Sequence, residues 1–163
     1  MYSRVGYDAS ERERHLSLYF EDFTIGAEHV TRGRTITEAD VTNFAGLSGD
    51  FIELHTNEEY ARQSPFGRRI AHGLLTLSIS TGLMVQMNLI TDTVVAFYGL
   101  DKLRFVKAVF IGDTIQVRKK VVDTLTKGGE VGVVTFDTAV MNQKGETVLV
   151  YRDKLVIKKR PAA

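Results

Sequence analysis

From Gly73 to about Asn88 the chain is apolar on nearly every side. Between Leu74, Leu75, Leu77, Ile79, Leu83, Met84, Val85 and Met87 stand Thr76, Ser78, Ser80, Thr81, Gly82 and one larger polar residue, Gln86. A helix without a wet face must be buried. The apolar part, Leu74–Val85, is broken by those small polar residues and is too short to span a bilayer. The chain beyond this helix has the character of strands. Val94–Phe105 is rich in β-branched and aromatic residues, and further strands are expected over Thr114–Thr124, Val131–Met141 and Glu146–Lys158. Turn signals separate them at Phe110–Asp113, Lys127–Glu130 and Asn142–Gly145. One helix to be covered and a meander to cover it make an α+β fold, one antiparallel sheet wrapped around one long central helix.

Before the helix the pattern is more broken. Glu28–Ile36 is a strand candidate. Thr37-Glu38-Ala39-Asp40 reads as a capping box, with Thr37 as N-cap of a short helix that Ser48-Gly49 ends. Thr56-Asn57-Glu58-Glu59 reads as a second one, with Thr56 as N-cap of a helix over Asn57–Arg62. Residues 1–18 form a charged N-terminal arm, 19–158 the domain and 159–163 a solvated basic tail. At 163 residues this is a single domain. The sheet's edges need protection, so a homodimer, or a larger even assembly, joined edge to edge is expected.

The bulk numbers narrow the chemistry. Net charge is +1, which asks for neither nucleic acid nor a membrane surface as partner. There is no cysteine, which removes thiolate catalysis, disulfides and Cys-ligated zinc. A cytoplasmic setting is expected and agrees with that. No Gly-x-Ser-x-Gly elbow is present for Ser-His-Asp hydrolysis. Asp50, Glu53 and His55 do not match a metal-ligand spacing, so no metal and no cofactor are expected.

What remains is an acid and a base five residues apart, Asp50 and His55, in the segment between the two capped helices. Gly73 stands where the buried helix begins. Its N–H is one of the unsatisfied donors of a first helical turn, and no side chain screens it. Hydration of an enoyl thioester needs a base for water, an acid for the α-carbon and a donor for the enolate oxygen. The positive end of a helix starting at Thr56 should keep His55 neutral near pH 7. Which of the pair takes the proton from water is left open by the spacing. Each residue has an ordinary reading as well: a turn acid, a packed histidine, a glycine for close helix packing. His72 is either a second proton carrier or, as we favour, a histidine at the helix start bonded to backbone. His15 and His29 are read as surface residues.

The chain resembles the MaoC-like dehydratases, the (R)-specific enoyl-CoA hydratases with a single hot-dog domain. The likeness runs from Tyr19 to Ile157. Its carriers are Phe23–Gly26, Thr35–Val41, Phe44–Asp50, His55, Ile70–Gly73 and Phe105–Asp113. The family's Asp-x-Asn-Pro-x-His falls on Asp50 and His55, with Ile52-Glu53 in place of Asn-Pro. The resemblance implies a trans-2-enoyl-CoA and (R)-3-hydroxyacyl-CoA as the reacting pair, with Gly73 polarising the thioester carbonyl. It also implies a hydroxyl near Thr81, with Ser80 beside it, supporting the acid. Coenzyme A carries phosphates, and Arg68, Arg69 and Lys107 are the basic candidates for them; ordinary surface charge is the alternative for all three. A thioesterase on the same fold and a non-catalytic acyl-CoA binding subunit are the competing functions.

Overall fold

The computed structural model describes residues 17–161. A 3-10 turn (Phe20–Asp22) leads into β1 (Glu28–Val30) and β2 (Arg34–Thr35). Then come α1 (Glu38–Ser48), α2 (Glu53–Thr56), α3 (Glu58–Arg62) and α4 (Gly73–Val85). Four long strands close the chain: β3 (Val94–Phe105), β4 (Thr114–Thr126), β5 (Val131–Met141) and β6 (Thr147–Lys158). The expected first strand is thus two fragments, both paired to β4, because the segment bends between Val30 and Arg34.

The sheet is antiparallel, in the order β1-β4-β5-β6-β3, with β2 also on β4. Glycines in the left-handed region make the turns between its strands: Gly112 (φ 94°), Gly129 (φ 76°) and Gly145 (φ 75°). The sheet's inner face carries Val117, Val140, Leu149 and Tyr151 onto Leu75 and Leu83 of α4, forming one core. A second cluster, with Phe23, Val121, Phe136, Leu155 and Ile157, fills the other end. The helix is less enclosed than its composition suggests. Leu74 and Val85 are exposed, and Ser78 turns outward with its hydroxyl on Leu74 O. Of the small polar residues it is Ser80, fully buried, that meets the sheet.

The first capping box forms as expected. Thr37 Oγ1 accepts from Asp40 N–H, and Asp40 Oδ2 accepts from Thr37 N–H and the Thr37 hydroxyl. The second does not. Thr56 is the last residue of α2, and the cap of α3 is Asn57, whose Oδ1 accepts from Glu59 and Tyr60 N–H. Asn57 caps one residue later than Thr56 would, which leaves Thr56 to complete the single turn of α2. The basic tail also differs from a solvated end. Lys159 N–H donates to Glu130 O, and the Arg160 guanidinium clasps Asp22 over the Tyr19 ring. Most of the N-terminal arm, including His15, lies outside the described residues. Its last part is docked, with Ser17 bonded to Asp92 and Leu18 to Leu89 O and Thr93. Among the described residues no helix is long and apolar enough to cross a membrane.

Candidate active site

Helix α1 delivers Asp50. Gly49 ends the helix at φ 78°, its N–H on Ala45 O, and the chain reverses toward the start of α4. Two local bonds hold the acid. Its N–H donates to Ser48 Oγ at 3.2 Å, and its Oδ1 accepts from Ile52 N–H at 3.3 Å.

His55 is next, on α2, and is 9% exposed. Its Nδ1 lies 2.8 Å from Ile70 O. A carbonyl only accepts, so Nδ1 bears the hydrogen and Nε2 is the nitrogen left free. The field argument from a helix starting at Thr56 falls with that cap; the Ile70 carbonyl sets the tautomer instead. The same reasoning applies to His72, 2% exposed, whose Nε2–H donates to Asp50 O at 3.0 Å. Its buried Nδ1 has no hydrogen-bond partner among the described residues. The two imidazoles stack with centroids 3.9 Å apart and planes inclined by 30°, and Phe44 packs on His72 at 5.1 Å. His72 therefore links the acid's backbone to the base's ring.

Helix α4 begins directly after His72, which supplies no side-chain cap. First-turn N–H groups at Gly73 and Leu74 therefore keep their donors, with the helix dipole behind them. A Cβ built on Gly73 would stand 2.8 Å from the Phe105 ring, so only glycine fits beside the ring as placed.

These groups share one cavity of about 470 Å³. Asp50, His55, His72, Gly73 and Lys107 line it, with Phe66, Thr76, Phe105 and Val109 among the walls. Arg68 and Arg69 are not on its wall. Arg69 is wired into the scaffold, with NH1 and NH2 on the Glu38 carboxylate at 2.6 and 2.8 Å and Nε on Glu58 at 3.1 Å. Those bonds hold the Glu38 carboxyl below the usual carboxylate range. The Arg68 guanidinium lies 4.2 Å from the Phe110 ring centroid, and Lys107 Nζ bonds Glu146 at 2.6 Å. Thr81 is not brought to Asp50. Its hydroxyl donates to Ser78 O, and it faces a second cavity farther along α4; Ser80 bonds Leu77 O and Tyr151. The acid's support comes instead from Ile52 and Ser48. Glu53, at the departure from the family pattern, is exposed, and its carboxylate accepts from Asn57 Nδ2.

One carboxylate and two imidazoles here offer ligand-type atoms within 4.8 Å of one another. A divalent ion could use that donor set. Ligands on ~2.1 Å bonds stand roughly 3.4 Å apart in a tetrahedral site, so this trio would have to close on the ion.

Phe105, Phe66 and Thr76 were not singled out as site residues from the sequence, since nothing in their residue types marks them as lining a site. Lys119 and Asp153 face the second cavity instead, and each left a signal of phase rather than of motif in the sequence. Each sits in the inward phase of its strand, between Val117 and Val121 and between Tyr151 and Leu155. His29, read as a surface residue, is half-buried and faces the second cavity.

The sheet and its helix form the hot-dog arrangement seen in solved structures of similar fold. At the start of that helix the structure gathers one carboxylate, Asp50, and two imidazoles, His55 and His72. The MaoC like domain matches residues 22–143, and the chain belongs to that family. It is 45% identical over 100 residues to Protein MaoC of Klebsiella aerogenes, covering 61% of this chain and 29% of that protein. It is 33% identical over 108 residues to the 3-hydroxybutyryl-CoA dehydratase of Methylorubrum extorquens, covering 66% of each. The solved monoamine oxidase regulatory protein from Archaeoglobus fulgius superposes with a TM-score of 0.84 at 41% identity, over 89% of this chain and 97% of that one. The chain spans less than a third of the Klebsiella protein and about two thirds of the dehydratase.

Proposed function

We propose that the protein interconverts a trans-2-enoyl thioester and the (R)-3-hydroxyacyl thioester, with coenzyme A as the carrier. The observation that supports this best is the fixed tautomer of His55. Its free Nε2 shares a cavity with the Asp50 carboxylate, against the uncapped start of α4. In this reading water sits between the two side chains. Asp50 orients it, and His55 Nε2 takes its proton as the oxygen bonds carbon 3. The enolate oxygen receives the Gly73 N–H. The imidazolium then returns the proton to carbon 2, so water is added with nothing left over. Lys107, at the cavity wall, is the basic group placed for a coenzyme phosphate. The relative named as a 3-hydroxybutyryl-CoA dehydratase supports this chemistry.

The protein acts as a homodimer in this proposal, with β3 edges side by side. Strand β3 ends the sheet and exposes Val95, Phe97 and Tyr98, apolar residues that a second copy would cover.

Crotonyl-CoA should lose its enoyl absorbance in the presence of the purified protein. Asp50→Asn and His55→Ala should each lower kcat/KM by ~10²–10⁴-fold. Release of free CoA thiol would show a thioesterase instead, and full activity in both variants would remove the mechanism.

A further inference from the structure

A second cavity, of about 280 Å³, lies at the far end of the α4–sheet seam. Met84, Ile90, Phe97, Phe136 and Leu155 make its walls apolar, yet Lys119, Asp153, Tyr151 and His29 also face it. Lys119 is 5% exposed and Asp153 fully buried. They form an ion pair, and the second Asp153 oxygen accepts from the Thr138 hydroxyl at 2.8 Å. Lys119, Thr138 and Tyr151 stand side by side on β4, β5 and β6.

Folding alone does not explain this cluster. A buried ion pair adds little or nothing over apolar residues of the same volume, because both charges must be desolvated. The arrangement is also lopsided. Asp153 has both oxygens engaged, whereas an ammonium offers three N–H donors. Asp153 takes one of them, and the Phe136 ring lies 4.1 Å from Nζ. Tyr151 points elsewhere: the Ser80 hydroxyl hydrogen goes to Leu77 O, so the tyrosine O–H donates to Ser80 Oγ. Burial raises the Tyr151 pKa to about 12, which keeps that hydrogen in place. Burial, then the Lys119 charge, lowers the pKa of His29, which favours the neutral ring.

The two cavities lie along one helix. Gly73, Leu74 and Thr76 face the first, and Thr81, Met84 and Val85 the second. From Gly73 to Thr81 the helix rises by roughly 12 Å at ~1.5 Å per residue. A staggered acyl chain advances roughly 1.25 Å per carbon, so about ten carbons span that distance. Resting on the hydratase reading for the position of the thioester, we infer that the second cavity takes the far end of the acyl group and that Lys119 there selects a chain ending in an uncharged oxygen, such as a hydroxyl. A plain alkyl end leaves the ammonium donor without an acceptor. A terminal carboxylate adds a third charge to a pair that is already neutral, inside an apolar wall.

Calorimetric binding of saturated acyl thioesters tests this without requiring turnover. The set is decanoyl-CoA, 10-hydroxydecanoyl-CoA and the CoA monothioester of decanedioic acid, with hydration of trans-10-hydroxydec-2-enoyl-CoA measured in parallel. The hydroxyl-ended chain should bind about tenfold or more tighter than either of the others, the scale of one hydrogen bond to a charged donor. In the paired variant Lys119→Met/Asp153→Leu, which strands neither charge, that preference should vanish. Should that variant fail to fold, the wild-type series decides alone. Equal affinities, a preference for the carboxylate, or a preference that survives in the paired variant overturns the assignment, whatever the turnover. A hydroxyl preference without hydration of 10-hydroxydec-2-enoyl-CoA leaves the cavity's selectivity standing and removes the hydratase reading.

Discussion

Gly73 has two readings that a pair of substitutions separates. In the first, the residue is glycine so that a thioester oxygen can reach its N–H. In the second, it is glycine so that Phe105 can pack against it. Gly73→Ala puts a methyl 2.8–3.0 Å from three atoms of the Phe105 ring, well inside the ~3.5–4.0 Å of ordinary carbon contact. The ring is 51% exposed and has room to swing outward. Removing a glycine from a helix also recovers up to ~1 kcal/mol. The variant should therefore melt within a few degrees of wild type, since ~1 kcal/mol shifts Tm by only ~2–4 °C in a domain of this size. Activity should fall much further. A methyl over the first-turn N–H holds the enolate oxygen off its donor, and losing one such donor costs ~10²–10³-fold in kcat. The assay is crotonyl-CoA hydration at saturating substrate, alongside thermal unfolding, for Gly73→Ala and for Gly73→Ala/Phe105→Ala. The double variant relieves the clash and leaves the methyl, so kcat should stay low. Recovery of kcat in the double variant, or near wild-type kcat in the single one, would refute the donor assignment.

The scaffold carries two further expected outcomes. Burial raises the Asp40 pKa, but the bonds from Thr37 and Arg34 outweigh it, and the carboxyl ends below its ordinary value. A depressed carboxyl contributes stability above its unfolded pKa of ~3.9 and loses it as pH falls through the lower folded value. Asp40→Asn should thus cost ~0.5–2 kcal/mol at pH 7, the range for a lost cap, and the gap to wild type should shrink below about pH 4 in urea titrations. A gap that stays constant down to pH 3 contradicts that account. On the sheet edge, Val95→Lys should convert the proposed dimer to monomer in light scattering at micromolar concentration. A wild-type monomer under the same conditions removes the edge-to-edge assembly.

Much of the fold was legible because its signals are local. An apolar run without a wet face, β-branched strands and glycines at the turns gave α4 and β3–β6 nearly to the residue. The break between β1 and β2 was not legible, because pairing with β4 decides it. The cap at Thr56 was misleading for a simpler reason. Thr56 and Asn57 are both good caps, and the backbone bond from Asn57 N–H to Glu53 O makes the turn before Asn57 helical. Asp50, His55 and Gly73 stood out as an acid, a base and a helix start. The backbone carbonyl that fixes the His55 tautomer has no residue type and leaves no trace in sequence. Arg69 was legible only as a charge, and charge does not reveal that two acids already hold it.

That pairing has a topological consequence. Arg69 and Glu38 stand 31 positions apart, and every residue from the start of α1 to the end of α3 lies between them, Asp50 and His55 included. One planar guanidinium, bidentate on the first acid and bridging to a second, closes that stretch into a non-covalent ring. The fork is 22% exposed, so solvent ions can reach it. The ring thus acts as a latch on Asp50 and His55 that touches neither of them. It resembles a crosslink in what it does to chain freedom, and unlike a crosslink it can be loosened by salt.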